Sequence, residues 1–490
     1  MYTQSALEAD QSRARRRRRT VGTIAAVVAV VLALGAGLYW YHSSGEPKGH
    51  TDAKPAQQAP DAIRATVEQA PGSPEGEMVV HHYEDKLTGQ PRYAPGTWAT
   101  GKVLAQAVAH TIQGYTIEPN PDDRKTAWSL DLGGYICAVS RDVTADGRTA
   151  VVVQPPAAKT GKSGVCNEVL SVDLNTGKKL WQQKMPAADF AYVTNTNIAL
   201  TQGVVAIAWN HGSVAYDMDS GKRLWNTTES TSQCHDTGYA GGRGLLALVT
   251  CGESSTATYR AEKIDPRTGK IMWQYNVSSG IQAVYLPSAE PPVLAVAAGD
   301  TLVTDLITLD PKNGKPLATI SLRGYDPKCG RDYAGPTFGD IDKCDGMVVG
   351  RDRIFVMTKD SGEIVKPANK ITAFDVQKGT AAASFKGRPF QTVIPVRMNG
   401  DDLIIYRTSL DTVQPAAVVD WNPRTDKETP YLFFHLPEEE WELSDPEYSD
   451  IVYEHGRVFF ARRMLERDDK NPKDPVVSAL GVGSAGLKQH

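Results

Sequence analysis

The chain has 490 residues and a formal charge of −4, with 41% hydrophobic residues, 43 glycines and 30 prolines. That is enough apolar matter for a packed core, and turn-forming residues at this density suit many short strands, not long helices. The first 20 residues hold six arginines against Glu8 and Asp10, which leaves the other 470 with 47 basic and 55 acidic side chains, or −8. So acidic a body argues against nucleic-acid binding, which needs a basic face to displace counterions.

In chain order, the arginines (Arg13 and Arg15 to Arg19) belong to a short tail, residues 1–20, that precedes an uncharged run, residues 21–41. Twenty-one apolar residues at about 1.5 Å each reach across roughly 30 Å of hydrocarbon. Arginines before the run and Tyr39, Trp40 and Tyr41 at its far end predict a single transmembrane helix with a cytoplasmic N-terminus and everything beyond it outside. The competing reading is a cleaved signal peptide, with Ala33-Leu34-Gly35-Ala36 supplying small residues for cleavage. Residues 42–95 are polar and interrupted by seven prolines, and read mostly as a tether; its short apolar patch, Met78 to Tyr83, could dock on the domain that follows, but such a patch in a linker is more often incidental.

From residue 96 onward the sequence repeats itself. V-D-L-N-T-G-K-K-L-W from Val172, Y-D-M-D-S-G-K-R-L-W from Tyr216 and I-D-P-R-T-G-K-I-M-W from Ile264 align without a gap. Copies without the tryptophan start at Leu309 and Phe374, and a sixth, N-P-R-T-D-K, starts at Asn422. Taking Asp173, Asp217, Asp265, Asp310, Asp375 and Asn422 as origins, the spacings are 44, 48, 45, 65 and 47 residues, a propeller-blade period with one insertion. Each unit ends a strand in Asp, turns to a glycine (Gly177, Gly221, Gly269, Gly314, Gly379) and starts another strand. Asp caps turn N–H groups, and Gly supplies the positive φ that closes a hairpin. The predicted fold is all-β: a propeller of four-stranded antiparallel blades over residues 96–490, with Trp181, Trp225 and Trp273 packed between blades. Strands near Val103 to Leu130 and Asp450 to Leu480 remain outside the six units. Merged, they make seven blades, which is the expectation; kept apart, they make eight.

The repeated turn and strand resemble the pyrroloquinoline-quinone-like (PQQ-like) repeat over roughly residues 100 to 485. That family contains quinoprotein alcohol dehydrogenases, the propeller component of the outer-membrane assembly machinery, and envelope proteins of actinobacteria. The resemblance therefore implies a fold and two classes of function: an interaction scaffold or ligand-sensing module of the cell envelope, or a PQQ-dependent oxidoreductase with calcium. Quinoproteins of the family commonly carry an adjacent-cysteine disulfide over the cofactor, and some a C-x-x-C-H haem site; this chain has neither. The expectation is a non-catalytic module with no cofactor, partnered by the cytoplasmic membrane and by envelope proteins.

All six cysteines follow the apolar run, in an oxidising compartment if the topology holds. Repeat position favours three sequential bridges. Cys234 and Cys251 flank one hairpin, Cys329 and Cys344 bracket the insertion, and Cys137 is left with Cys166. No two cysteines stand at zinc-ligand spacing. His211 and His235 fall at blade edges where a pocket could form, and Asp131, Asp236 and Asp305 are candidates to line an axial channel and hold a cation, but solvated loop and surface residues are the favoured reading for all five. No G-x-S-x-G, H-E-x-x-H or phosphate-binding glycine loop occurs, so no catalytic residue is assigned. Asn226-Thr227-Thr228 and Asn276-Val277-Ser278 match the glycosylation sequon by pattern alone.

Overall fold

The computed structural model describes residue 62 and residues 70–485, apart from segments 85–86, 88–89, 123–124, 157–163, 228–232, 253–255, 300–301, 331–339, 361–366, 411–412, 438–441 and 468–474. The arginine tail, the predicted membrane span and nearly all of residues 42–69 lie outside the described residues. Among the described residues no helix is long and apolar enough to cross a membrane.

Eight four-stranded antiparallel sheets follow one another around a ring. Blade 1 holds Gly96–Ala99, Val103–Val108, Thr111–Thr116 and Trp128–Asp131, and blades 2 to 7 each run four consecutive strands from an inner one to an outer one. The inner strands of blades 2 to 7 are Tyr135–Val139, Asn197–Thr201, Cys234–Ala240, Ile281–Ala289, Met347–Val349 and Val393–Asn399. Blade 8 is composite. Ser449–Glu454, Arg457–Arg462 and Val476–Ser484 come from the C-terminal end, and the fourth strand, Gly76–Glu84, comes from the N-terminal side.

The expected seven blades are therefore corrected to eight. The strands from residue 96 to 131 form a blade of their own, and the three C-terminal strands are completed by the stretch around Met78 to Tyr83. That stretch, read as part of a tether, pairs along its length with Val476–Ser484, from Gly76 opposite Ser484 to Glu84 opposite Val476. Just before it, the Phe433 N–H donates to the Pro74 carbonyl (2.7 Å) and Glu75 bridges Phe433, so the chain also grips blade 7.

Burial explains why these strands do not alternate as a half-exposed sheet would. Blades pack face to face, so strands near the axis are covered on both sides: all six residues of V-L-A-Q-A-V (Val103–Val108), second in blade 1, and all five of N-I-A-L-T (Asn197–Thr201), first in blade 3, are buried. Outer strands such as K-K-L-W-Q-Q-K (Lys178–Lys184) have no buried residue. The core is correspondingly divided into clusters between neighbouring blades; one joins Val79, Val80, Phe459 and Ala461 of blade 8 to Ala99 and Leu104 of blade 1.

Antiparallel order gives the ring two unlike faces. One carries the first and third hairpins of each blade, short turns in most of them. The other carries the second hairpins and the connections between blades, which include the longest loops. Three disulfides, Cys137–Cys166, Cys234–Cys251 and Cys329–Cys344, join sequence neighbours. Cys234 and Cys251 are directly opposed on adjacent strands of blade 4.

Candidate functional site in the plugged central channel

The repeat turns are built alike. In the D-x-x-x-G copies the glycine N–H donates to the Asp carbonyl at 2.8–2.9 Å, and φ at Gly177, Gly221, Gly269, Gly314 and Gly379 lies between 65° and 71°. The carboxylates accept N–H groups two or three residues on: Asp173 from Asn175, Asp217 from Ser220, Asp265 from Arg267 and Thr268, Asp310 from Lys312, Asp375 from Gln377 and Lys378. In the degenerate copy Asn422 does the same for Arg424 and Thr425, with Asp426 at φ 57° in the glycine position. Burial pushes the Asp217 carboxyl up, but the Ser220 hydroxyl and N–H and the Arg267 guanidinium outweigh it and bring it down to about 2.

Each turn glycine also faces the tryptophan of the preceding blade. A Cβ at Gly177 would stand 2.4 Å from Trp128, and at Gly221, Gly269 and Gly314 it would meet Trp181, Trp225 and Trp273 at 2.8, 2.9 and 2.4 Å. The Trp181, Trp225 and Trp273 ring N–H groups donate to the carbonyls of Met218, Pro266 and Pro311 in the same turns. In blade 5 Ala318 takes the tryptophan's place, against Gly379. Trp128 is the first member of this series and was not found from sequence, because no D-x-x-x-G turn precedes it.

The insertion in the 65-residue interval is the connection from blade 5 to blade 6, and it enters the axial channel from the long-connection face. Its described parts touch blades 2, 4, 5 and 8. The Leu286 N–H donates to the Ile341 carbonyl (2.7 Å), and the Ile341 side chain lies beside Gly238. Arg141 Nη1 donates to the Asp342 carbonyl (2.8 Å). Asp345 is held by Arg463 at 2.7 Å and by Arg141 at 3.7 Å, while Arg463, 4% exposed, also reaches Asp450 at 2.8 Å. Lys328 pairs with Glu447. The Cys329–Cys344 bridge ties the two strands of this plug.

The pairs differ in their electrostatics. Burial raises the Asp345 carboxyl, but Arg463, Lys343 and Arg141 overcome it and hold it below the usual carboxylate range. For Asp142 and Asp342 burial wins: despite Arg141, they are pushed up to about 6 and about 7, Asp342 raised further by Asp340 and Asp142. Arg141 itself is 43% exposed, and it lines the channel.

Beyond the plug the channel is a pocket of about 730 Å³, lined at the tight-turn end by Asp142, Arg243, Glu290, Arg351, Arg397 and Glu454. A smaller space of about 160 Å³ lies beside the plug, between Trp98, Asp345, Asp450 and Arg463. Asp131, Asp236 and Asp305, expected as channel residues, do not line either space. Asp131 caps the Gly133 N–H, Asp305 begins the third strand of blade 5, and Asp236 accepts from the Ser213 and Tyr239 hydroxyls at 2.6 and 2.8 Å. His211 packs on Phe190 with ring centroids 5.1 Å apart. Burial, then His211, lowers the His235 pKa against the pull of Asp236. Among the described residues no three His, Cys, Asp or Glu side chains form a group able to hold a metal.

Trp181, Trp225 and Trp273 are committed to turns on outer strands, and Trp98, which does line the channel, is 2% exposed with its ring N–H given to the Ser140 carbonyl. The Arg141 charge pulls the Asp142 and Asp342 carboxyls down against the burial that raises them.

The chain is similar in fold to several solved propellers. These include BamB from Moraxella catarrhalis (11% identity, 79% of this chain and 95% of that one, TM-score 0.42). Quinohemoprotein alcohol dehydrogenase ADHIIG from Pseudomonas putida HK5 is another (13%, 85% and 77%, TM-score 0.47), as is quinohemoprotein alcohol dehydrogenase from Comamonas testosteroni (13%, 85% and 78%, TM-score 0.45). No curated protein sequence matches the chain. The family described as outer membrane protein assembly factor BamB matches residues 84–241 and 165–381, well over half of the chain. The chain thus belongs to that family of PQQ-like repeat propellers.

Proposed function

We propose that the chain is a non-catalytic propeller, anchored by residues 21–41 in the cytoplasmic membrane, that serves as an interaction scaffold on the outer side of that membrane. The observation that carries this reading is the long-connection face. Tyr135 (64% exposed), Phe190 (49%) and Tyr192 (42%) stand there around the start of blades 2 and 3, with His110 and His211 beside them. Exposed aromatics of this kind supply much of the binding energy in protein interfaces. They contrast with the tight-turn face, where the repeat turns present Asp, Lys and Arg.

The test is site-specific photo-crosslinking of the full chain in its native envelope, with a benzophenone amino acid at Tyr135 or Tyr192 and at Lys179 as control. A discrete cross-linked envelope protein at the two tyrosines, absent at Lys179, is the expected result. Folded protein that cross-links to nothing at either tyrosine contradicts the scaffold reading.

A further inference from the structure

We propose that the open end of the channel binds a compact organic oxyanion, a carboxylate or phosphate group seated between Arg243 and Arg351. This goes beyond the scaffold role, which concerns the opposite face and different residues.

Four arginines line the 730 Å³ pocket, and two of them are already committed. Arg141 is spent on the plug, and Arg397 is paired with Glu454 at 2.7 Å and bound to the Tyr453 carbonyl at 3.0 Å. Arg243 is fixed in place by a backbone contact, its Nη2 donating to the Glu290 carbonyl at 2.7 Å. The carboxylate of Glu290 attracts Arg243 as well, but it is shared with Lys263, whose Nζ lies 2.7 Å from it. Arg351 makes no hydrogen bond or ion pair among the described residues. Burial, and after it the charge of Arg351, depresses the Arg243 pKa against the pull of Glu290, as a like charge within reach does.

Arg243 and Arg351, on the corresponding turns of blades 4 and 6, line one space with Glu290 of blade 5 between them; because Lys263 already takes that carboxylate, an added oxyanion offsets the positive charge that is left. Each guanidinium can give a planar pair of N–H donors to carboxylate or phosphate oxygens. The pocket volume falls in the range of small-molecule sites. Pro287, Ser288, Val349 and Val396 line it farther in, next to the plug, and suit a short carbon skeleton better than a bare ion.

Isothermal titration of the full chain with citrate, glucose 6-phosphate, inorganic phosphate and glucose tests the proposal and separates the two sources of oxyanion. Saturable binding of citrate or of either phosphate, with none for glucose, is expected. Arg351→Ala and Arg243→Gln should each weaken it at least tenfold, and Arg424→Ala, on the blade 7 rim beside Asp352 and Asp401, should leave it unchanged. Melting curves of the three variants verify that they fold. No saturable binding of any anion at 10 mM (about the upper end of metabolite-like affinities) overturns the proposal, as does binding that survives both channel substitutions or that glucose reproduces.

Discussion

Gly269, like the other turn glycines that face a tryptophan, combines two requirements that no other amino acid meets. Its φ of 71° is costly for any side chain, and the space where a Cβ would go is already filled by the Trp225 ring at 2.9 Å. Gly280 has φ 84° but nothing within 4 Å of the same point, so it isolates the conformational part alone. Gly280→Ala should therefore cost about 1 kcal/mol, and Gly269→Ala clearly more, in urea unfolding of the propeller. Equal losses would show that the ring contact contributes nothing. Trp225→Ala removes the ring and its 2.8 Å hydrogen bond to Pro266 and should cost about 3 kcal/mol. The Asp and Gly roles were legible from the repeat, because they are local: four residues close one turn. The partner of each glycine was not, since the tryptophan lies a blade earlier in the chain, and Trp128 carries no local mark of membership.

Among the elements, the plug is the one whose stability should follow pH. Asp142 and Asp342 are raised to about 6 and about 7, above the 3.8 of an ordinary Asp. Groups raised in the folded state stabilise it fully below their unfolded value, and that contribution disappears as pH climbs through the folded one. Between pH 4 and 7 the seated plug should therefore loosen. Asp345 is lowered, so its contribution is lost only in more acidic solution and does not offset the trend. Hydrogen exchange at the Leu286 amide, which donates to Ile341, reads the plug locally. After correction for the intrinsic rate, protection should be higher at pH 5.5 than at pH 8, and Asp342→Asn should remove most of the difference. Equal protection at both pH values in the unaltered chain would refute the assignment. The sequence marked this element as surplus length between Asp310 and Asp375 bracketed by Cys329 and Cys344; its seat in the channel depends on Arg141, Asp450 and Arg463, all more than a hundred residues away.

For the whole molecule the decisive contact is the ring closure. Gly76–Glu84 completes blade 8 and buries Val79 and Val80 against blades 8 and 1. A chain that begins at residue 86 should melt at least ten degrees lower than one that begins at residue 70, because losing the outer strand of blade 8 exposes a sheet edge and the apolar surface that Val79 and Val80 cover on blades 8 and 1. Adding a peptide of residues 72–85 should restore part of the loss; an unchanged melting temperature for the shorter chain would mean that the ring does not depend on this strand. The sequence by itself determined the blade period, the turn chemistry, the all-β class and the neighbour pairing of the cysteines, since each is written within about one repeat of chain. Only the tertiary structure decided the blade number, the plug and the arginine-lined pocket. Ring closure joins residues some four hundred positions apart through a strand with too few apolar residues to announce itself, and the channel exists only where eight inner strands meet, so no local pattern in the chain encodes either one.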